Sequence, residues 1–183
     1  MRSNMHNRLL KIIEKKEADI MAYKSGSHTF LNVFRNNKNI GLIAELKLAS
    51  PTIEKLGSRE EVLDRVKEYE AAGANAISII TEKHFFKGDV HFVTHVKETV
   101  SLPILQKDFV IDESQIYEAK QIGSDALLFI ARLIDGETLK HFVSLTKSLG
   151  IDPVVEITND EDLEKALRTE TDIIAVNARD FDT

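Results

Sequence analysis

At 183 residues, with 43% hydrophobic and 30% charged residues, the chain has the size and make-up of one ordinary globular domain. A formal net charge of −6, with no block of Lys and Arg, excludes nucleic acid as the main partner. The lack of cysteine excludes disulfides, thiolate metal sites and a cysteine nucleophile, and no apolar run reaches the roughly 18 residues that span a bilayer.

The N-terminus lacks the apolar core of a signal peptide, so a cytoplasmic protein is expected. From Asn7 to about Tyr23, Leu9, Ile12, Ile13 and Ile20 recur at helical spacing among Lys11, Glu14, Lys15 and Glu17. That predicts an amphipathic helix, whose mixed charges suit covering a core better than lying on a membrane. A polar link through Ser25, Gly26, Ser27 and Phe30 then leads to a turn over Arg35, Asn36, Asn37, Lys38 and Asn39. Residues 1–40 are therefore expected to be a helical extension of a single domain, with the main fold over residues 41–183.

A rhythm then sets in. Strands are predicted from Leu42 to Lys47, Ala74 to Thr81, Pro103 to Lys107, Asp125 to Ile130, Pro153 to Ile157 and Asp172 to Asn177. Helices are predicted between them, over Ser58 to Ala72, Val90 to Thr99, Asp112 to Ile122, Gly136 to Leu149 and Asn159 to Arg168. Ser58 suits an N-cap, with Glu60 and Glu61 in the first turn behind it. Alternation of this kind means βαβ units and a parallel sheet, and runs rich in Ile, Leu and Val suit strands buried on both faces. An open doubly wound sheet and a (β/α) barrel both satisfy the pattern. Neither the dinucleotide nor the P-loop glycine motif is present.

Polar and charged residues stand near the C-terminal end of almost every strand: Glu45 and Lys47, Lys107 and Asp108, Arg132, Glu156, and Asn177 with Arg179. In parallel α/β folds that edge is where ligands bind. Glu45 and Lys47 are two apart, so a strand points both to one face, where burial is costly unless they pair or do chemistry. Cations, carboxylates and an amide converging there suit an anionic substrate that needs proton transfers. Asp108 and Arg132 are the members most readily explained as strand-end caps. His91 and His95 lie four apart on a predicted helix near Asp89, but without a third ligand they read as a solvated helix face. His84 reads as structural.

The blocks Ile43–Pro51, Ile80–Gly88, Lys107–Phe109, Val155–Glu156 and Val176–Asp180 resemble the indole-3-glycerol phosphate synthase family in order and spacing. The resemblance implies a (β/α)8 TIM barrel, of which about six βα units are present here together with the extra N-terminal helix. It implies ring closure, decarboxylation and dehydration of an anionic sugar phosphate, 1-(2-carboxyphenylamino)-1-deoxyribulose 5-phosphate, without cofactor or metal. Position by position, Lys107 resembles the general acid of ring closure and Glu156 the base of the dehydration. Lys47 would hold the substrate carboxylate, with Glu45 and Asn177 orienting these groups. Ser50 belongs to the motif at the phosphate end, Arg179 would support the carboxylate region, and Phe86, Phe109 and Leu128 would wall the aromatic ring.

Two departures matter. After Ser50 and Pro51 the chain reads Thr52-Ile53-Glu54-Lys55-Leu56-Gly57, where the family continues with a small residue, a basic one and glycine, and Leu46 replaces an aromatic residue. The family's last two βα units, with a serine and a glycine-rich phosphate site, are not in these 183 residues. Six units alone should leave the first and sixth strands as unpaired edges, which invites self-association. The competing readings are a non-catalytic interaction module and a related sugar-phosphate isomerase or aldolase barrel. Borohydride trapping of an adduct on Lys47 or Lys107 would mark the aldolase.

Overall fold

The computed structural model describes residues 13, 15–16, 29–35, 38–49 and 58–178. Ser50 and Arg179, the loop at 51–57 and nearly all of the helix expected over 7–23 lie outside the described residues. In chain order the elements are α1 (Thr29–Arg35), β1 (Ile43–Leu46), α2 (Arg59–Ala71), β2 (Ala76–Ile80), α3 (His91–Thr99), β3 (Ile104–Lys107), α4 (Ser114–Ile122), β4 (Ala126–Ile130), α5 (Gly136–Ser148), β5 (Asp152–Ile157), α6 (Asp160–Leu167) and β6 (Ile173–Val176). A 3-10 turn, Ala131–Leu133, follows β4.

All neighbouring strands pair in parallel, and their spatial order is their chain order, β1 through β6. A doubly wound sheet reverses its strand order at a switch point. Nothing reverses here, so the sheet curls one way, as a TIM-type barrel does.

Three of the crossover helices start at side-chain caps. Ser58 and Glu61 form a reciprocal capping box at α2, and Asp135 and Asn159 cap α5 and α6 through their side chains. Gly123 ends α4 with φ +85°, a left-handed conformation that side chains disfavour. On the outer face, Leu46, Ile77, Ile79 and Ile104 pack with Val62, Val66, Phe92, Val93 and Val96 of α2 and α3. Leu127, Phe129, Val155 and Ile157 pack likewise with Ile116, Leu139, Phe142 and Val143 of α4 and α5.

The inner face is filled by α1, where the sequence predicts only a polar link. Phe30, 1% exposed, sits in one cluster with Ala76, Leu105, Ala126, Leu128, Ile130 and Val154, and Phe34 packs against it. The Leu31 N–H donates to Asp152 Oδ2 at 2.9 Å, and Arg35 Nη2 donates to Asp172 Oδ1 at 3.0 Å. A Cβ on Gly41 would lie 2.5 Å from Phe34 Cδ1, so the chain entering β1 can pass over that ring only as glycine. The helix thus closes the end of the curl where the strands begin and, among the described residues, leaves the other end open.

Two carboxylates outside the sheet fix its loops. Asp125, just before β4, accepts the Ile104 N–H at 2.8 Å and Lys97 Nζ at 2.7 and 2.8 Å. Glu82, just after β2, accepts three backbone N–H groups, from His84 at 2.7 Å, Phe85 at 2.7 Å and Phe86 at 3.0 Å. This loop closes when the Gly88 N–H donates to the Glu82 carbonyl at 2.8 Å. There a Cβ on Gly88 would lie 2.5 Å from the Ile80 carbonyl oxygen, and Lys87 adopts φ +55°.

Asp125→Ala strands a strand-end N–H that a charged acceptor now satisfies, so we expect a loss of about 2–3 kcal/mol in a urea unfolding series. An unchanged midpoint would mean that water replaces the carboxylate without penalty. At Glu82, burial opposes ionisation, but the N–H groups of His84, Phe86 and Phe85 outweigh it and hold the carboxyl below its ordinary value of 4.5. A carboxyl depressed by folding stabilises above that ordinary value, and the gain is lost as the pH falls through the lower folded one. The stability difference between the wild type and Glu82→Gln should therefore be greatest near neutrality and shrink below pH 4.5, read as urea midpoints.

Candidate functional site

Alternation along the strands sends one set of residues into the curl. Glu45 pairs in register with Ser78, Ile80 with Lys107, and Ile130 with Glu156, so these side chains share the inner face. Toward the closed end that face is apolar apart from Asp152, whose carboxylate α1 occupies. Toward the open end it becomes charged: Lys107 Nζ stands 3.3 Å from Glu45 Oε2, and Lys47 Nζ stands 3.9 Å from Glu45 Oε1. Curl brings β1 and β3 within reach over β2, joining residues 62 positions apart in the chain. The three side chains are between 29 and 39% exposed, a range in which an ion pair is worth about 1 kcal/mol or less. Such pairs do little for stability.

Across the mouth, Glu156 is 5% exposed and accepts Asn177 Nδ2 at 3.0 Å. Among the described residues no Lys or Arg makes an ion pair with it. The sheet thus carries a two-lysine, one-carboxylate group on β1 and β3, and a buried carboxylate with a neutral amide on β5 and β6. Such an arrangement can neutralise an anion on one side and take a proton on the other.

Phe86 and Phe109 stand above this layer with ring centroids 6.4 Å apart and planes inclined by 37°. Leu128 lies deeper, 2% exposed in the inner cluster, and forms floor rather than wall. Phe109 borders a cleft of about 710 Å³ shared with Glu82, Phe85, Asp108 and Ile111. A second cleft, of about 560 Å³, lies at the closed end between α1 and the start of β3, and its one cation, Lys97, is held by Asp125. It carries no comparable chemistry.

Ser50 and Arg179 fall outside the described residues. Asp108 accepts the Thr81 hydroxyl at 2.6 Å, and Arg132 Nη2 donates to Thr158 Oγ1 at 2.7 Å, so both serve strand ends. His91 and His95 are exposed on α3, and among the described residues no cluster of three His, Asp or Glu could hold a metal.

Three residues at the mouth escape sequence reasoning. Glu82 binds backbone rather than a charged side chain, and its signal is a glycine six positions on. Thr81, 2% exposed, reads as ordinary strand. Ser78, 5% exposed on the inner face beside Glu45, has a hydroxyl with no hydrogen-bond partner.

Among solved structures the chain is similar to the HpcH/HpaI aldolase from Desulfitobacterium hafniense, with a TM-score of 0.60 and 14% identity over 82% of this chain and 67% of that one. It is also similar to the N-acetylmannosamine-6-phosphate 2-epimerase from Clostridium perfringens, with a TM-score of 0.56 and 16% identity over 73% and 60%. At such identities the likeness speaks for the barrel fold alone. The curated relatives are nearer. An indole-3-glycerol phosphate synthase from Thermoanaerobacter pseudethanolicus is 44% identical over 177 residues, covering 94% of this chain and 66% of the relative. Synthases of the same description from Caldanaerobacter subterraneus and Aliarcobacter butzleri are 42% and 39% identical, over 82% and 93% of this chain and 59% and 65% of theirs. The chain therefore spans about three-fifths to two-thirds of the length of these relatives. The family model for indole-3-glycerol phosphate synthase matches residues 5–183. With 42–44% identity to synthases of that description, the chain belongs to the indole-3-glycerol phosphate synthase family.

Proposed function

We propose that the open mouth binds 1-(2-carboxyphenylamino)-1-deoxyribulose 5-phosphate and converts it to indole-3-glycerol phosphate, carbon dioxide and water. The observation that carries this reading is the pairing of opposites across one mouth. Lys107 and Lys47 flank Glu45 on one side, and Glu156 stands with Asn177 on the other.

In this reading the Lys107 ammonium donates its proton to the substrate carbonyl oxygen as the aromatic carbon attacks the carbonyl carbon. The new carbon–carbon bond leaves the ring carbon tetrahedral, and loss of carbon dioxide restores aromaticity. Lys47 holds the departing carboxylate until that step. Glu156 then accepts a proton from the carbon next to the amine nitrogen while the hydroxyl formed from the carbonyl takes a proton from the Lys47 ammonium and leaves as water, closing the indole double bond. Glu45 keeps both lysines aimed inward, and Asn177 orients the Glu156 carboxylate. Phe86 and Phe109, tilted against each other, wall one side of the aryl ring, with Leu128 beneath. Arg179 supports the carboxylate and Ser50 the phosphate. No metal or cofactor is called for, since protons are all that the residues must move. A cytoplasmic setting suits such a small anionic substrate.

Among the described residues β1 and β6 each pair on one side only, and Ile43, Ile174 and Val176 are 41%, 38% and 76% exposed there. We assign the rest of the phosphate site to further strands that fill this gap, in place of which two copies of the 183-residue chain would meet edge to edge.

Turnover followed by indole fluorescence should fall by a factor of about 10² to 10⁴ in both Lys107→Ala and Glu156→Gln. A variant that keeps full turnover would remove its residue from the mechanism. Asn177→Ala should lose about tenfold through misorientation of Glu156. Gel filtration of the 183-residue chain should show concentration-dependent association, and a monomer that unfolds cooperatively would count against edge pairing.

A further inference from the structure

Both aromatic walls are held by carboxylates at the strand ends behind them. The Phe86 N–H donates to Glu82 Oε2 at 3.0 Å, and the Phe109 N–H donates to Asp108 Oδ1 at 2.8 Å. These two anchors are not separate. Thr81, the residue before Glu82, donates its hydroxyl to the other oxygen of Asp108 at 2.6 Å, while its N–H donates to the Lys107 carbonyl at 3.0 Å. Behind it, Gln106 Nε2 reaches Thr81 Oγ1 at 3.4 Å, and Ser124 Oγ donates to Gln106 Oε1 at 2.8 Å. Thr81, Gln106 and Ser124 are all at least nine-tenths buried.

Stability alone does not account for the arrangement. Phe85 is 67% exposed and the Glu82 bonds to His84 and Phe85 lie at the surface, where water would satisfy the same N–H groups. A carboxylate instead of water gives the loop one geometry. The close pass of Gly88 over Ile80 and Thr81 leaves little room for another.

We infer that Thr81, Glu82 and Asp108 are positioning residues that set the spacing of Phe86 and Phe109, and so determine which aryl group the mouth accepts. The inference rests on the synthase reading for the identity of the aryl group. It does not rest on it for the tie itself. An aryl slot needs a wall of fixed shape, and a half-buried pair of phenyl rings in contact from two separate loops keeps one only if the loops are tied together. Thr81 supplies that tie between β2 and β3.

The test uses the 183-residue chain with Thr81→Val, Thr81→Ser and Glu82→Gln. Thr81→Val keeps the shape and removes the hydroxyl, Thr81→Ser restores it, and Glu82→Gln leaves one acceptor oxygen facing three donors. Without ligand, amide exchange at Phe86 and Phe109 should quicken about tenfold in Thr81→Val and Glu82→Gln, with the β2 and β3 strand amides unchanged. Unchanged exchange at both phenylalanines would overturn the tie, whatever the protein binds. With 1-(2-carboxyphenylamino)-1-deoxyribulose 5-phosphate, KM should rise about fivefold or more in the same two variants while kcat stays within about twofold, and Thr81→Ser should recover the wild-type KM. Wild-type turnover with an unmoved KM would overturn the slot-setting role and leave the synthase reading intact. No binding or turnover by the folded wild type would instead overturn the reading that the mouth of these 183 residues by itself takes this substrate, and with it the aryl assignment, while the exchange measurement still decides the tie.

Discussion

A parallel sheet is apolar on both faces, and here the inner face is filled by a helix of seven residues. Outside, five crossover helices do the covering that βαβ connections always supply. Inside, among the described residues, α1 does the filling, with Phe30 and Phe34 at a centroid distance of 5.3 Å. A helix so short does not persist alone in water, so it is held by what it fills and by Asp152 and Asp172 at its flanks. Filling one end from below also leaves the other end open. The polarity of the inner face, apolar floor and charged mouth, follows from that single placement.

The alternation of strands and helices was legible because the strands are short apolar runs rich in Ile, Leu and Val and three of the crossover helices begin at side-chain caps, Ser58, Asp135 and Asn159. All six strands fall within two residues of the expected bounds. α1 was not legible. Three large residues in seven give too short a period to read, and the neighbouring Ser-Gly-Ser and Asn-rich stretches point to a loop. Tertiary contact, not propensity, makes it a helix. Two architectures satisfied the alternation equally, and only the register of pairing, β1 through β6 without reversal, separates them.

At the mouth the residue types were legible and their partners were not. A strand reading puts Glu45 and Lys47 on one face, but it does not say that Lys107 reaches Glu45 first, at 3.3 Å against 3.9 Å for Lys47. That depends on how tightly the sheet curls over β2. Glu82 is a different case. A carboxylate that binds three backbone N–H groups has no sequence partner to look for, and the resemblance to the family draws attention to its neighbour Phe86 instead. Asp108 illustrates the converse. Its place as a strand-end cap could be read, but the buried Thr81 hydroxyl that makes the cap a link between two loops could not.

The two glutamates at the mouth, Glu45 and Glu156, are treated in opposite ways, and the difference bears on what the mouth is for. Glu45 is 39% exposed and faces two lysines, so water and cations share its charge. Glu156 is 5% exposed and faces an amide, with no ion pair among the described residues. A hydrogen bond to a charged group contributes about 1.5–3 kcal/mol, while taking a carboxylate out of water costs several. A glutamine at 156 would keep the fold's hydrogen bond without that penalty. An acid at that position, one strand from an amide able to hold it and across the mouth from Lys47, Glu45 and Lys107, costs the fold more than the amide would. Stability gives no reason for that choice, whereas the proton transfer proposed above would require it.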